Sequence, residues 1–227
     1  MLLLAKVSMA SQAQPNDGGF LLLEIQKISE VFKNKPNLSC SLTYTYADSL
    51  TPGSPIETIN GQMKISNNKS WTLLGTTEII DGSQYNLALY HDDSTMVINN
   101  KKSYETIMRM PFMDTSFQNN SIASFATTPI ASPLKQISIL FKPGLGYSKY
   151  TITFDMQTWE TQSIQYFVKD PLLTSGTAVI TLTITNYDAV TPISQDLFNE
   201  WKYFHFSNGG FLTNPPYSYF TLYNFSL

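Results

Sequence analysis

A two-residue period marks one early segment, which reads Ser39-Cys40-Ser41-Leu42-Thr43-Tyr44-Thr45-Tyr46. Cysteine, leucine and tyrosine alternate there with serine and threonine, and successive side chains of a strand point to opposite faces of a sheet. One face of this strand is therefore apolar and the other is hydroxylated. Such alternation is typical of a half-buried antiparallel strand.

Similar segments follow and predict a meander of five strands. Alternation returns over residues 59–65, and turns at 67–69, 81–82 and 91–94 separate further strands predicted at 70–80, 85–90 and 95–99. The middle of the chain, residues 101–133, loses this period, and we expect short helical pieces there that lie over the sheet. Strands resume at 149–155, 161–168 and 178–185.

A helical period precedes the first strand. Apolar residues recur at helical spacing from about Gly19 to Asn34, with Asp17 or Asn16 as the cap and Pro36 beyond the end. Together these patterns predict an α+β fold that is mainly β with few helices. We expect a strongly curved antiparallel sheet with helices tucked against its concave face.

Composition narrows the possible functions. The chain has 227 residues, 42% of them hydrophobic, which fits one domain with a sizeable core. Its formal charge of −3 leaves no basic surplus to neutralise a row of phosphates, so nucleic-acid binding is not expected. Cys40 is the only cysteine and is interpreted as a core residue, and His91 and His205 are the only histidines. We therefore expect no disulfide framework, no metal site and no cofactor.

The start of the chain resembles the end of a signal peptide. An apolar stretch leads to Ser11-Gln12-Ala13, which places small residues where a signal peptidase cleaves. Lys6 interrupts that stretch, and the alternative is a frayed terminus. We predict a partial signal peptide at 1–13, one domain at 14–227, and export to the periplasm or elsewhere in a bacterial cell envelope.

Catalysis has little support in the sequence. A serine–histidine–aspartate system would have to use His91 or His205, and neither is accompanied by a Gly-x-Ser-x-Gly elbow. Acidic residues such as Asp92 and Asp93 lie in an apparent turn, where carboxylates serve local hydrogen bonding. We expect a protein that is not an enzyme.

The meander also resembles a known family. Gly61, Met63 and Ile65, then Trp71, and then the run Glu78–Tyr90 with its Asp-Gly turn are similar to the core of LolA-type periplasmic lipoprotein carriers. Segments at 150–155 and 184–188 are similar to that family's closing strands, so the resemblance spans about residues 20–200. It implies an unclosed β-barrel lidded by helices, with an apolar cavity that holds lipid or the acyl chains of a lipoprotein.

Apolar strand positions supply the candidate lining of that cavity. The predicted ligand-binding residues are Leu42, Tyr44, Met63, Ile65, Trp71, Leu73, Leu87 and Leu89. The expected cavity holds several hundred cubic ångströms and is lidded by the helix of residues 21–32. The alternative is that these eight side chains simply pack against that helix as core.

The end of the chain motivates a second functional hypothesis. From about Trp201 the sequence is an aromatic extension, with Tyr217, Tyr219, Phe220, Tyr223 and Phe225. The only arginine, Arg109, lies in the irregular middle, whereas the carriers commonly have one after the second strand. The protein is therefore either a monomeric lipid carrier or an envelope scaffold whose tail docks a protein partner. A third interpretation of the tail is a strand that completes the sheet.

Overall fold

A computed structural model of the chain describes residues 18–33, 36–101 and 120–225, with side chains from residue 23 to 32 in the first of these ranges. Helix α1 occupies Gly18–Lys33, which confirms the predicted opening helix. The helical piece predicted at 104–109 lies outside the described residues, as does the start of the one predicted at 116–125. The end of that second piece is wrong, because the chain is strand from Ile122 onward. No described helix is long and apolar enough to cross a bilayer.

Fourteen strands and two short 3-10 helices follow α1 within the described ranges. The strands are β1 (Asn37–Asp48), β2 (Glu57–Ser66), β3 (Lys69–Leu74), β4 (Thr77–Asp81), β5 (Tyr85–Tyr90), β6 (Thr95–Asn100), β7 (Ile122–Ala131), β8 (Leu134–Phe141), β9 (Tyr147–Asp155), β10 (Thr161–Lys169), β11 (Thr177–Asp188), β12 (Phe204–Ser207), β13 (Gly210–Thr213) and β14 (Thr221–Asn224). The 3-10 helices are η1 (Gln195–Phe198) and η2 (Glu200–Lys202).

Twelve of these strands form one large curved sheet. Their order is β14-β6-β5-β4-β3-β2-β1-β11-β10-β9-β8-β7, and β12 pairs with β13 in a separate hairpin. Neighbours in the sheet are antiparallel except β14, which runs parallel to β6. The two edge strands, β14 and β7, are not joined to each other, so the sheet is unclosed. This confirms the predicted fold class.

Two parts of the predicted meander are wrong in detail. The strand expected at 70–80 is two strands, because Gly75 takes a left-handed φ of +58° and reverses the chain between Leu74 and Thr77. The region expected to be irregular up to residue 133 contains β7, and β8 follows it directly. Proline made β7 hard to recognise, yet Pro129 is tolerated because β7 is an edge strand.

The two faces of the sheet are covered by different parts of the chain. We call the face that contacts α1 the helix face. There Ile25 and Ile28 pack on β8 and β9, and Phe32 packs on β1, β2 and β11. Glu24 of α1 also accepts a hydrogen bond from Lys135 of β8.

The opposite face is apolar over a different set of strands. It is covered from β3 to β6 by the C-terminal segment, residues 195–225, and we call it the tail face. Its buried cluster contains Trp71, Ile80, Leu87, Leu89, Met96, Ile98, Phe198, Tyr203, Phe204 and Phe220. Over β1 and β11 the tail face carries the hydroxylated residues of the alternation, such as Ser41 and Thr183. The apolar side of the sheet therefore changes between β2 and β3.

Candidate ligand-binding surface

The eight predicted ligand-binding residues divide between the two faces. Residues paired directly across neighbouring strands share a face. Met63 pairs with Thr72 and Lys64 pairs with Trp71, so Trp71 lies on the face opposite Met63. The helix-face members are Leu42, Tyr44, Met63 and Ile65, and the tail-face members are Trp71, Leu73, Leu87 and Leu89.

Most of the eight are packed in the interior. Leu42 and Ile65 are buried with Phe32 of α1, and Met63 packs beside them. Trp71, Leu87 and Leu89 are buried under the C-terminal segment, with Leu73 packed against them. The structure therefore does not bring the eight together as the lining of one cavity, and α1 does not cover the tail-face four. Ligand binding by any of them stays a prediction.

The error comes from one residue in the β2–β3 hairpin. The predicted turn has three residues, 67–69, but Ser66 pairs with Lys69 and the observed loop has two. Asn67 and Asn68 have φ of 51° and 61°, the left-handed conformations of a two-residue hairpin turn. A one-residue change of register moves every side chain of the following strand to the other face. The Asn-Asn pair was the signal that could have given the correct register.

A different surface on the helix face has the properties of a ligand site. One cross-strand row runs Ile137–Ile152–Ile164–Leu182–Tyr44–Ile59, and a second runs Ile139–Tyr150–Tyr166–Ile180–Tyr46. The first two residues of each row are buried, next to α1. Beyond them, over β10, β11, β1 and β2, the rows become partly exposed. We call these seven residues the apolar strip: Ile164, Tyr166, Ile180, Leu182, Tyr44, Tyr46 and Ile59.

The tyrosines of the strip bring hydroxyl groups but no charge. The Tyr46 hydroxyl donates a hydrogen bond to the Asp170 carboxylate, and this bond raises the pKa of Tyr46 to about 12. Burial, then the charge of Glu57, raises the pKa of Tyr44. The rings of Tyr150 and Tyr166 have centroids 4.7 Å apart, and burial is the main cause of the raised pKa of each. The strip is therefore neutral at physiological pH.

A partly buried carboxylate, that of Glu78, links the tail face to the C-terminal segment. Glu78 Oε1 accepts hydrogen bonds from Trp71 Nε1 and from the Tyr203 hydroxyl, both at 2.6 Å. His91 Nε2 lies 3.4 Å from Glu78 Oε2. Glu78 thus joins strand β3 to the C-terminal segment, and no ligand is needed to satisfy these groups.

The aromatic tail forms part of the sheet. Thr221–Asn224 pairs with β6, so the interpretation of the tail as a strand completing the sheet is confirmed. Tyr217 and Phe220 pack on the tail-face cluster. Tyr219, Tyr223 and Phe225 are 67%, 49% and 67% exposed. These three remain available for a partner, as the second hypothesis requires.

Nucleophilic and metal-binding groups are sparse in the described part of the chain. No three His, Cys, Asp or Glu side chains lie together there in a way that would hold a metal ion. Cys40 is buried, in agreement with its interpretation as a core residue, and burial raises the pKa of its thiol to about 12. His91 and His205 make contacts with Glu78 and Asn214 respectively.

Comparison with protein families gives no match, and comparison with curated proteins gives none. Among solved structures, a putative outer membrane lipoprotein-sorting protein domain from Vibrio parahaemolyticus is similar at a TM-score of 0.41 and 8% identity, over 79% of this chain and 96% of that one. The lipoprotein LppX from Mycobacterium tuberculosis is similar at a TM-score of 0.39 and 13% identity, over 78% and 100%.

A LolA superfamily protein from Nitrosomonas europaea is similar at a TM-score of 0.37 and 9% identity, over 78% of this chain and 96% of that one. The solved structures similar to the chain thus include a protein of the LolA superfamily, the family that the meander resembles.

Proposed function

We propose that the protein is a non-catalytic, exported binding protein for an apolar ligand, a lipid or the acyl chains of a lipoprotein, in the cell envelope. One observation carries the proposal. Two rows of apolar side chains that are buried beside α1 continue across the helix face as the partly exposed apolar strip. Proteins rarely leave a contiguous apolar surface exposed unless something binds there.

The strip has a size and chemistry suited to an acyl chain. It crosses four neighbouring strands, β10, β11, β1 and β2, which lie about 4.8 Å apart, so it spans roughly 14 Å. Each methylene buried on it contributes about 0.8 kcal/mol. A ten-carbon chain would thus gain on the order of 8 kcal/mol before the cost of association is subtracted. No polar anchor is needed for such a ligand to bind.

The opposite side of the same strands offers a built-in comparison. On the tail face, β1, β11 and β10 carry Ser41, Thr181, Thr183 and Gln165 in the positions between the strip residues. Their hydroxyl and amide groups favour water rather than hydrocarbon. At these positions, therefore, one face of the strands suits a lipid and the other suits solvent.

The test is a titration with a fluorescent fatty acid, together with native mass spectrometry and organic extraction of the purified protein. We expect bound lipid in the protein as isolated. Ile180→Asp, in the strip, should weaken fatty-acid binding about tenfold or more, because it places a charge in the apolar surface. Thr181→Asp, next to it on the polar face of β11, is the matched control and should bind as the wild type does.

The result that would overturn the proposal is equally definite. Protein that is empty by mass spectrometry and extraction, and that does not bind the fatty acid, is not a lipid carrier. Equal effects of the Ile180 and Thr181 substitutions would show that the strip is not the site.

The exposed aromatic residues of the tail support a second candidate function, an envelope scaffold that docks a protein partner. Tyr223 lies in the edge strand β14, and Tyr219 and Phe225 lie just outside its two ends, where an incoming strand or loop has access. Replacing Tyr219 and Phe225 by serine should abolish partner capture in a pull-down from envelope extract and leave fatty-acid binding intact. Unchanged capture would exclude the tail as the docking surface.

A further inference from the structure

Two neighbouring loops along one side of the apolar strip expose large hydrophobic side chains. The β1–β2 loop, residues 49–56, carries Leu50 at 69% and Ile56 at 61% exposure. The β10–β11 loop, residues 170–176, carries Leu172 at 92% exposure. A single exposed leucine is ordinary, but three such side chains on adjacent loop tips form a patch that calls for a partner.

Hydrogen bonds fix these two loops to each other. Ser49 N donates to Thr177 O at 3.0 Å, and Ser175 N donates to an oxygen of the Asp48 carboxylate at 3.2 Å. The bond from the Tyr46 hydroxyl to Asp170 ties the second loop to the strip itself. These bonds hold the bases of the two loops together, next to the proposed ligand site.

The same two aspartates bind the backbone at the exposed leucines. Asp48 Oδ1 accepts a hydrogen bond from Leu50 N, and Asp170 Oδ1 accepts one from Leu172 N, each at 2.9 Å. Both carboxylates are thus hydrogen-bonded within the protein. The tips themselves, Ser49–Ile56 and Pro171–Gly176, contain no charged residue.

From this arrangement we infer that the Leu50–Ile56–Leu172 patch inserts into the surface of a lipid bilayer, and so places one side of the apolar strip next to the membrane. The inference rests on the proposed lipid-binding function, since the membrane is then the source or destination of the ligand. A bilayer fits better than a protein partner because the tips are uncharged. They can enter the interfacial region without desolvating a charge, and burial of large apolar side chains there is favourable.

The charges around the base of the patch predict how binding depends on salt. The acidic residues there are Asp48, Glu57 and Asp170, and the basic residues are Lys142 and Lys169. Lys169 reaches the neighbouring β8–β9 loop, because its N–H donates to Gly146 O. With nearly equal numbers of both signs, the patch has little net attraction for anionic lipid. Binding should therefore not require anionic lipid, and it should be nearly independent of salt.

The experiment is co-flotation of the full chain with phosphatidylcholine vesicles. The double variant Leu50→Asp/Leu172→Asp should lower the partition coefficient about tenfold or more, since each substitution puts a charge in place of an apolar group that inserts into the bilayer. Val190→Asp is the matched control. Val190 is 89% exposed, its N–H donates to Asp188 Oδ1 as that of Leu172 does to Asp170, and it lies at the opposite end of β11. This control should leave the partition coefficient unchanged.

A second measurement locates the contact directly. Leu172→Cys and Val190→Cys can each be labelled with an environment-sensitive fluorophore, because the native Cys40 is buried and its raised pKa keeps the thiol unreactive. Vesicles should shift the emission of the label at position 172 to the blue and leave that at 190 unchanged.

The outcomes separate this inference from the proposed function. It is overturned if wild-type protein does not float with the vesicles, if the double variant floats as well as the wild type, or if Val190→Asp is equally impaired. Fatty-acid titration without vesicles tests the strip alone and should be unaffected by Leu50→Asp/Leu172→Asp. If the wild type does not bind fatty acid but its flotation still depends on the loops, the carrier function is rejected and the inferred membrane contact stands.

Discussion

Lys64 lies directly opposite Trp71 across the β2–β3 pair, and this pairing turns the indole away from α1. The Lys64 ammonium is 5.7 Å from the centre of the indole ring, within the range of a cation–π contact. Because of this register, β3 and the strands after it present their large apolar residues to the tail face. The C-terminal segment is then required to cover them.

Removing the partly buried carboxylate of Glu78 tests how this segment is held on the sheet. Glu78→Ala removes the acceptor shared by Trp71 Nε1 and the Tyr203 hydroxyl, and both donors are left without it in a largely buried position. An unsatisfied buried polar group costs about 1–3 kcal/mol. We expect the free energy of unfolding, measured by urea denaturation, to fall by about that amount. Glu57→Ala, at the exposed start of β2, should change it by less than about 0.5 kcal/mol.

Shortening the chain to residue 208 tests whether the tail is separable from the domain. It removes β14 and β13, and with them Phe211, Tyr217 and Phe220, which pack on the tail-face cluster. The side chains of Met96 and Ile98 in β6 would then be exposed to solvent. We expect lower solubility, a lower melting temperature and faster amide hydrogen exchange in β6. A shortened chain that melts with the wild type would show that the tail is an independent appendage.

The sequence supports prediction of local structure better than of relations between strands. Alternation correctly located β1, β9, β10 and β11, because a strand's own apolar period is visible in its residues. Strand β8 was missed because Lys135 stands in its apolar series and Leu140 on its polar side. The Lys135 side chain is partly buried and pairs with Glu24 of α1. The local sequence pattern of β8 gives no indication of that contact.

The candidate site could be predicted only in part for the same reason. Tyr44 belongs to the apolar strip and was identified from its own strand. Its neighbours Leu182 and Ile180 come from β11, more than 130 residues later in the chain, and their pairing with β1 is set by the whole sheet. The order of strands, and therefore the composition of a surface that crosses them, is not encoded in any one segment.

Gly61 is required by the close approach of two strands. A Cβ atom built there would overlap the Leu73 carbonyl oxygen and lie 3.0 Å from Leu74 Cα, both of them backbone atoms that cannot rotate away. We expect Gly61→Ala to lower the free energy of unfolding by about 1–3 kcal/mol, as overpacking does elsewhere. Gly53→Ala is the control, since nothing lies within 4 Å of its added Cβ, and it should be neutral in the same urea titration. Equal stability of the two variants would contradict the geometry.

The Asp81 carboxylate makes the free energy of unfolding depend on pH. Burial, opposed by Lys101, raises the pKa of Asp81 above its ordinary value. A raised carboxyl pKa means that the folded state binds the proton more tightly than the unfolded chain. Its contribution to stability is therefore present at low pH and is lost as pH rises through the folded pKa. We expect Asp81→Asn to be more stable, relative to the wild type, at pH 7 than at pH 4.

Thermal melts at the two pH values measure that difference, with Asp92→Asn as the control because Asp92 lies exposed in the β5–β6 turn. A relative stability of Asp81→Asn that is the same at both pH values would show that Asp81 does not titrate with folding in this range.

Tryptophan substitutions separate a closed core from an open surface. Leu87 is 1% exposed in the tail-face cluster, so Leu87→Trp should overpack it and cost about 1–3 kcal/mol or more, with no specific effect on ligand uptake. Leu182 is only partly buried in the apolar strip, so Leu182→Trp should be accommodated with little loss of stability while it occupies the surface on which the acyl chain lies. A thermal melt beside a fatty-acid titration should therefore show a lowered melting temperature for the first variant and weakened binding for the second. The reverse pattern would place the ligand under the C-terminal segment instead of on the strip.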